Sequence, residues 1–245
     1  MRTLNLLLLS VVLIAGYGGC ADTASLPEIL RGVDCVRTAE QDPLQPADSW
    51  DVLIEGYERA DSQNPPEPGA TVFIGSSSIL FWATVADDMA PLPVLNRGFG
   101  GSVMTQATGY IDRIVLPYQP RAVVLYEGDN DIAFGLSADC VLEDYDAFVA
   151  TVHEEQPDVP IYFLAIKPSI ARAALWPVIE RANALVRART STNPKLNYID
   201  VATPIFDASG EIRGDLFVAD GLHLNAAGYA LWTSVVHPVL LGDLS

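Results

Sequence analysis

Two hydrophobic patterns alternate along this chain. Short apolar runs occur at Val72 to Gly75, Val94 to Asn96, Ala122 to Tyr126 and Ile161 to Ile166, and around Tyr198-Ile199-Asp200. They are too short for buried helices, and Ala122–Tyr126 is continuously apolar, as a strand covered on both faces should be. Between the runs, apolar residues recur at helical spacing. Asp48 can cap a helix carrying Trp50, Leu53, Ile54 and Tyr57. Further helices are expected through Ile79, Leu80 and Trp82, through Tyr110, Ile111 and Ile114, and through Val141, Tyr145, Phe148 and Val152. The last two run through Leu175, Ile179 and Leu185, and from about Ala226 to Leu240. This alternation predicts an α/β fold. Its core is a five-stranded parallel sheet between two helical layers, joined by right-handed crossovers, in one domain over residues 48–245.

Ligands of such sheets bind outside the carboxyl ends of the strands. The polar and glycine-rich segments fall at that edge. Gly75-Ser76-Ser77 follows the first strand and Gly98–Gly101 the second; Gly128-Asp129-Asn130 follows the third and Lys167-Pro168-Ser169 the fourth. Ser77, two residues past the glycine, is placed to project at the start of the next helix. The alternative is that Ser76, Ser77 and Ser78 merely cap that helix. His223 weighs against this. Of the chain's three histidines, His153 and His237 fall within predicted helices, whereas His223 ends the loop Asp220-Gly221-Leu222-His223. A carboxylate three residues upstream can reach the imidazole Nδ1 and fix its tautomer, and the opposite nitrogen can then take a proton from a serine. Asn130 can offer its side-chain amide to an oxyanion, and the glycines from Gly98 to Gly101 let backbone approach a substrate.

Four such blocks in this order resemble the SGNH hydrolases of the GDSL esterase/lipase superfamily. Gly75-Ser76-Ser77 corresponds to the nucleophile block, with Ser76 where that block usually has Asp, as in a G-S-S-S branch. Gly101 stands for the glycine block, Gly128-Asp129-Asn130-Asp131 for G-x-N-D, and Asp220-Gly221-Leu222-His223 for D-x-x-H. The resemblance implies a flavodoxin-like α/β/α sandwich and an ester hydrolase using Ser77, Asp220 and His223. It also implies an oxyanion hole from the Ser77 and Gly101 N–H groups and the Asn130 amide, and no cofactor. Arg97, Lys167, Ser169 and Arg172 flank the same strand edge and are candidates to line the cleft. Glu127, Asp129 and Asp131 make a poor metal site, since no other ligand is in view.

Charge narrows the partners. A net charge of −17 on 245 residues, without a basic run, argues against nucleic acid. A small-molecule or glycan ester remains as substrate. Short-chain esters are favoured. A carbohydrate O-deacetylase, a lipase or lysophospholipase, and an inactive glycan-binding lipoprotein are the rivals.

The N-terminus reads as an export signal over residues 1–19, with Arg2 before the apolar stretch Leu4–Ala15. Cys20 is then either the lipidated first residue of a membrane-anchored lipoprotein, or simply near the cleavage point of a secreted or periplasmic protein. Residues 20–47 form an extension punctuated by Pro27, Pro43 and Pro46. With Cys20 lipidated, Cys35 and Cys140 remain either to pair in an oxidising compartment or to stay as free thiols. A histidine base must be neutral to act, so esterase activity is expected to rise with pH through roughly 6 to 7.5. A flat pH–rate profile over that range would count against His223.

Overall fold

The structure, a computed structural model, describes Cys35 and residues 48–245. The export signal, Cys20 and the rest of the 20–47 extension lie outside the described residues.

The described strands are β1 (Thr71–Gly75), β2 (Val94–Gly98), β3 (Ala122–Tyr126), β4 (Ile161–Leu164) and β5 (Leu196–Ile199). They form one parallel sheet in the order β2-β1-β3-β4-β5. The helices are α1 (Asp48–Gln63), α2 (Ser77–Leu80), α3 (Val85–Asp88), α4 (Met104–Gly109) and α5 (Ile111–Ile114). They continue with α6 (Asp129–Ala133), α7 (Ala138–Glu155), α8 (Trp176–Thr190) and α9 (Ala226–Leu244).

Strand side chains alternate between two cores, as a period of two requires. Val72, Ile74, Val123, Leu125, Ile161 and Phe163 face a core shared with α1, α4, α5, α7 and α8. Phe73, Val124, Tyr126, Tyr162 and Leu164 face the other, where Trp82, Tyr229 and Trp232 pack ring against ring. The sheet is therefore covered on both faces, and the three-layer α/β/α expectation holds.

Several boundaries differ from the hydrophobic pattern, each for a visible reason. The helix through Ile79 and Trp82 is a single turn, because the Asn96 side chain donates to the carbonyls of Ile79 (2.7 Å) and Trp82 (3.2 Å) where further turns would use them. Strand β4 stops at Leu164, not Ile166. The Asn183 side chain takes both the N–H and the carbonyl of Ile166 at 2.8 Å, replacing the next rung of the ladder. The segment around Ile111 divides into α4 and α5, with Tyr110 between them. Helix α6 has no apolar stripe, and the pattern did not show it.

Cys35 and Cys140 are joined by a disulfide with Cα atoms 5.5 Å apart, which ties the upstream segment to the first turn of α7.

Strand order reverses at β1, since the chain leaves it for β2 on one side and returns to β3 on the other. The carboxyl ends of β1 and β3 thus form the switch-point crevice of this topology. Gly75 makes the exit from β1 with φ of +150°, and any Cβ there would strike the Tyr126 carbonyl. Gly75→Ala is therefore expected to destabilise the protein by more than about 1 kcal/mol in urea unfolding.

Candidate active site

Of the three serines after β1, only one is turned toward solvent. Ser76 and Ser78 are buried, while Ser77 opens α2 half-exposed. As the first residue of a helix, Ser77 has no hydrogen-bond acceptor four residues earlier for its N–H. Its Oγ lies 3.0 Å from His223 Nε2. On the other side of the ring, Nδ1 lies 2.6 Å from Asp220 Oδ2.

The loop carrying these groups is folded on itself. Asp220 Oδ1 accepts the backbone N–H groups of Leu222 (2.8 Å) and His223 (3.0 Å), so both carboxylate oxygens are used. Gly221, with φ of +65°, makes the tight turn, and its carbonyl accepts the Ala171 N–H at 3.1 Å. Asn225 then caps α9 through the N–H groups of Ala227 and Gly228. Asp220 is held well below the usual carboxylate range, chiefly by its hydrogen bond with the His223 ring and then by the two backbone donors. It therefore stays ionised, able to orient the ring and to stabilise an imidazolium.

The glycine loop lies against the serine. A Cβ on Gly100 would stand 3.7 Å from that of Ser77. Helix α1 pins this loop from below: Trp50 Nε1 donates to the Gly100 carbonyl (2.9 Å) and the Tyr57 hydroxyl to that of Gly98 (2.6 Å). Gly101 has φ of +83° and open space around it, on the exposed side. Asn130, in the first turn of α6, donates from Nδ2 to the Ser102 carbonyl at 2.9 Å. The structure thus brings all four sequence blocks together at one edge.

Of the four candidate lining residues, three do not face a ligand. Arg97 is buried, with Nη2 on both carboxylate oxygens of Asp61 and Nε donating to the Tyr118 hydroxyl at 2.9 Å. Lys167 is only 1% exposed and spends its ammonium on Asp129 (3.0 Å). Ser169 is likewise buried. These are corrections with a common cause: a charged or polar side chain at the sheet edge is as easily folded under the loops as over them. Arg172 alone remains partly exposed, with its guanidinium on Asp129 and on the side-chain amide oxygen Oδ1 of Asn130.

Sequence reasoning passed over some neighbours of the site. Phe81 packs edge-on against the His223 ring, with centroids 5.1 Å apart, and is 51% exposed. Ile170 (51%) lies beside Gly221, and Val218 (44%) bonds the His223 carbonyl through its N–H. A cleft of about 340 Å³ is lined by Phe81, Thr84, Leu224, Asn225 and Tyr229, and neither Ser77 nor His223 lines it. Exposed apolar residues in loops carry no periodicity, so no pattern marked them.

In the sequence, Glu127 stands out only as a member of a poor metal site. Its carboxyl is fully buried, with Oε1 2.5 Å from Ser102 Oγ, and that hydroxyl also lies 2.9 Å from the Phe99 carbonyl. A hydroxyl has one proton to give. When Ser102 donates to Phe99, Glu127 must donate to Ser102, which requires a neutral acid. Burial, reinforced by nearby Asp131, pushes the Glu127 carboxyl well up in the same direction.

Profile comparison matches residues 68–231 to the GDSL-like lipase/acylhydrolase family. The chain belongs to this family. That membership makes it an ester hydrolase. Solved structures of the same fold include a candidate platelet activating factor protein from Streptococcus pneumonia, 21% identical with TM-score 0.68, covering 80% of this chain and 92% of that one. A candidate acylhydrolase from Bacteroides fragilis is 20% identical with TM-score 0.67, covering 78% and 97%. A GDSL-like lipase from Bacteroides thetaiotaomicron is 15% identical with TM-score 0.63, covering 78% and 98%. Among curated proteins, none matches.

A carboxyl kept protonated in the fold but ionised in the unfolded chain costs stability. The cost grows as pH rises above about 4.3, the ordinary glutamate value, toward the folded one. Glu127→Gln keeps the donor and removes the cost. The variant is expected to melt higher than wild type at pH 7, each 1 kcal/mol giving about 2–4 °C, with the gain shrinking toward pH 4. Equal melting temperatures across that range would show that Glu127 is not held neutral.

Proposed function

We propose that the protein is an exported serine esterase that hydrolyses short-chain carboxylic esters through an acyl-enzyme on Ser77. The observation that carries this reading is the unbroken hydrogen-bonded chain Ser77–His223–Asp220 at the switch point of a GDSL-family sheet. His223 Nε2 takes the Ser77 proton as Oγ attacks the ester carbonyl, while Asp220 holds Nδ1–H and balances the imidazolium. The imidazolium then gives its proton to the departing alkoxide, and water, deprotonated by the same nitrogen, releases the acid. The N–H groups of Ser77 and Gly101 and the free Nδ2–H of Asn130 stabilise the oxyanion in both halves.

The exposed apolar side chains of Phe81, Ile170 and Val218 around the His223 loop favour an ester with an apolar portion over a polysaccharide acetate. The disulfide between Cys35 and Cys140 is consistent with an oxidising compartment, and so supports export by the signal read at residues 1–19.

Ser77→Ala is expected to abolish turnover of p-nitrophenyl acetate while circular dichroism and melting stay as in wild type. A fully active Ser77→Ala protein would sink the assignment. A chain-length series of p-nitrophenyl esters set beside acetylated xylan should show highest kcat/KM on the short synthetic esters. Preferential release of acetate from xylan would make the protein a carbohydrate deacetylase instead.

A further inference from the structure

The side-chain amide of Asn130 is held at both ends. Its nitrogen donates to the Ser102 carbonyl at 2.9 Å, and its oxygen accepts from Arg172 Nη2 at 2.9 Å. An amide nitrogen carries two hydrogens, so this arrangement leaves one N–H uncommitted. A flipped amide would set oxygen against the Ser102 oxygen and N–H against the guanidinium, two repulsive contacts for two attractive ones. Polarity is therefore enforced by two partners on different loops, Ser102 after β2 and Arg172 after β4.

Arg172 is itself anchored. Its Nη1 pairs with Asp129 Oδ1, while Lys167 Nζ holds Asp129 Oδ2 at 3.0 Å. Asp129 is buried, and burial alone would raise its carboxyl. The Lys167 and Arg172 cations overcome this and hold it below the usual carboxylate range. A charged carboxylate shared by two cations gives the guanidinium a fixed base from which to reach Asn130.

We infer that Arg172 is a positioning residue for the oxyanion hole, orienting the Asn130 amide so that its remaining N–H meets the developing negative charge. The cation on the amide oxygen also polarises the amide and strengthens that N–H as a donor. This rests on the reading of Asn130 as an oxyanion donor. Because the oxyanion forms only during reaction, the contribution belongs to turnover and not to substrate affinity.

The test is steady-state kinetics on p-nitrophenyl acetate with Asn130→Ala, Arg172→Met and the double variant, each with its melting temperature. Arg172→Met should lower kcat at least about tenfold, and by no more than the 10²–10³ expected for loss of the donor itself, with KM within about twofold. In the Asn130→Ala background, adding Arg172→Met should cost little more, because the amide it orients is gone. Arg172→Lys retains the charge toward Asp129 but not the planar fork that spans both partners, so it should not restore the rate. If Arg172→Met fails to fold, Arg172→Lys is read in its place, and a fully active Lys variant overturns the inference. A folded Arg172→Met enzyme with wild-type kcat beside a crippled Asn130→Ala overturns it while leaving the proposed function standing. Full additivity of the two losses also overturns it. A fully active Asn130→Ala protein instead removes Asn130 from the oxyanion hole, and with it this role for Arg172.

Discussion

The position of β1 between β2 and β3 is the constraint on which the site depends. In register, Gly75 at the end of β1 sits level with Gly98 on β2 and Tyr126 on β3. Three loops therefore start at the same height, and the middle one carries Ser77. Its neighbours supply Gly101 on one side and Asn130 on the other. The hydrogen bond from Asn130 to the Ser102 carbonyl joins the flanking loops beside the serine. Parallel pairing makes this geometry unavoidable, because every strand ends at the same edge of the sheet. The His223 loop, far along the chain, then needs only to close over that edge, and α9 packing against Trp82 fixes where it lands.

Burying charge at that edge has an energetic logic of its own. Asp129, Glu127 and Lys167 are all buried within one short stretch of the sheet edge. An unpaired ion there would be prohibitively costly, and breaking such a pair typically costs about 3–5 kcal/mol. The structure resolves the two acids in opposite ways. Asp129 keeps its charge between two cations, whereas Glu127 has no cation beside it, and burial with nearby Asp131 pushes its carboxyl well up. Two acids separated by a single glycine are thus pushed in opposite directions by their partners.

Much of this was legible in the sequence. The apolar runs located all five described strands, because a strand buried on both faces leaves a continuous signature. Ser77 stood out at the end of a strand, and His223 as the one histidine of three in a loop, with Asp220 three residues before it. The side-chain partners were not legible. Arg97, Lys167 and Arg172 look alike as basic residues near strand ends, and only packing decides which is buried beneath the loops and which faces the site. Asn96 and Asn183 were equally silent. Each truncates an element by capturing backbone groups from a distant segment, which no local pattern records.

The hold of α1 on the glycine loop has a consequence for how much chain the fold requires. The family match begins at residue 68, yet Trp50 and Tyr57 bind the Gly100 and Gly98 carbonyls from before that point. At the other end, Trp232, Val236 and Leu240 are buried in the core beyond residue 231. A fragment trimmed to the matched span would keep every residue of the Ser77–His223–Asp220 chain. It would also expose a face of each core and leave the glycine loop without its floor. The smallest autonomous unit is therefore set by packing partners that contribute nothing to the chemistry, and it is longer at both ends than the family signature.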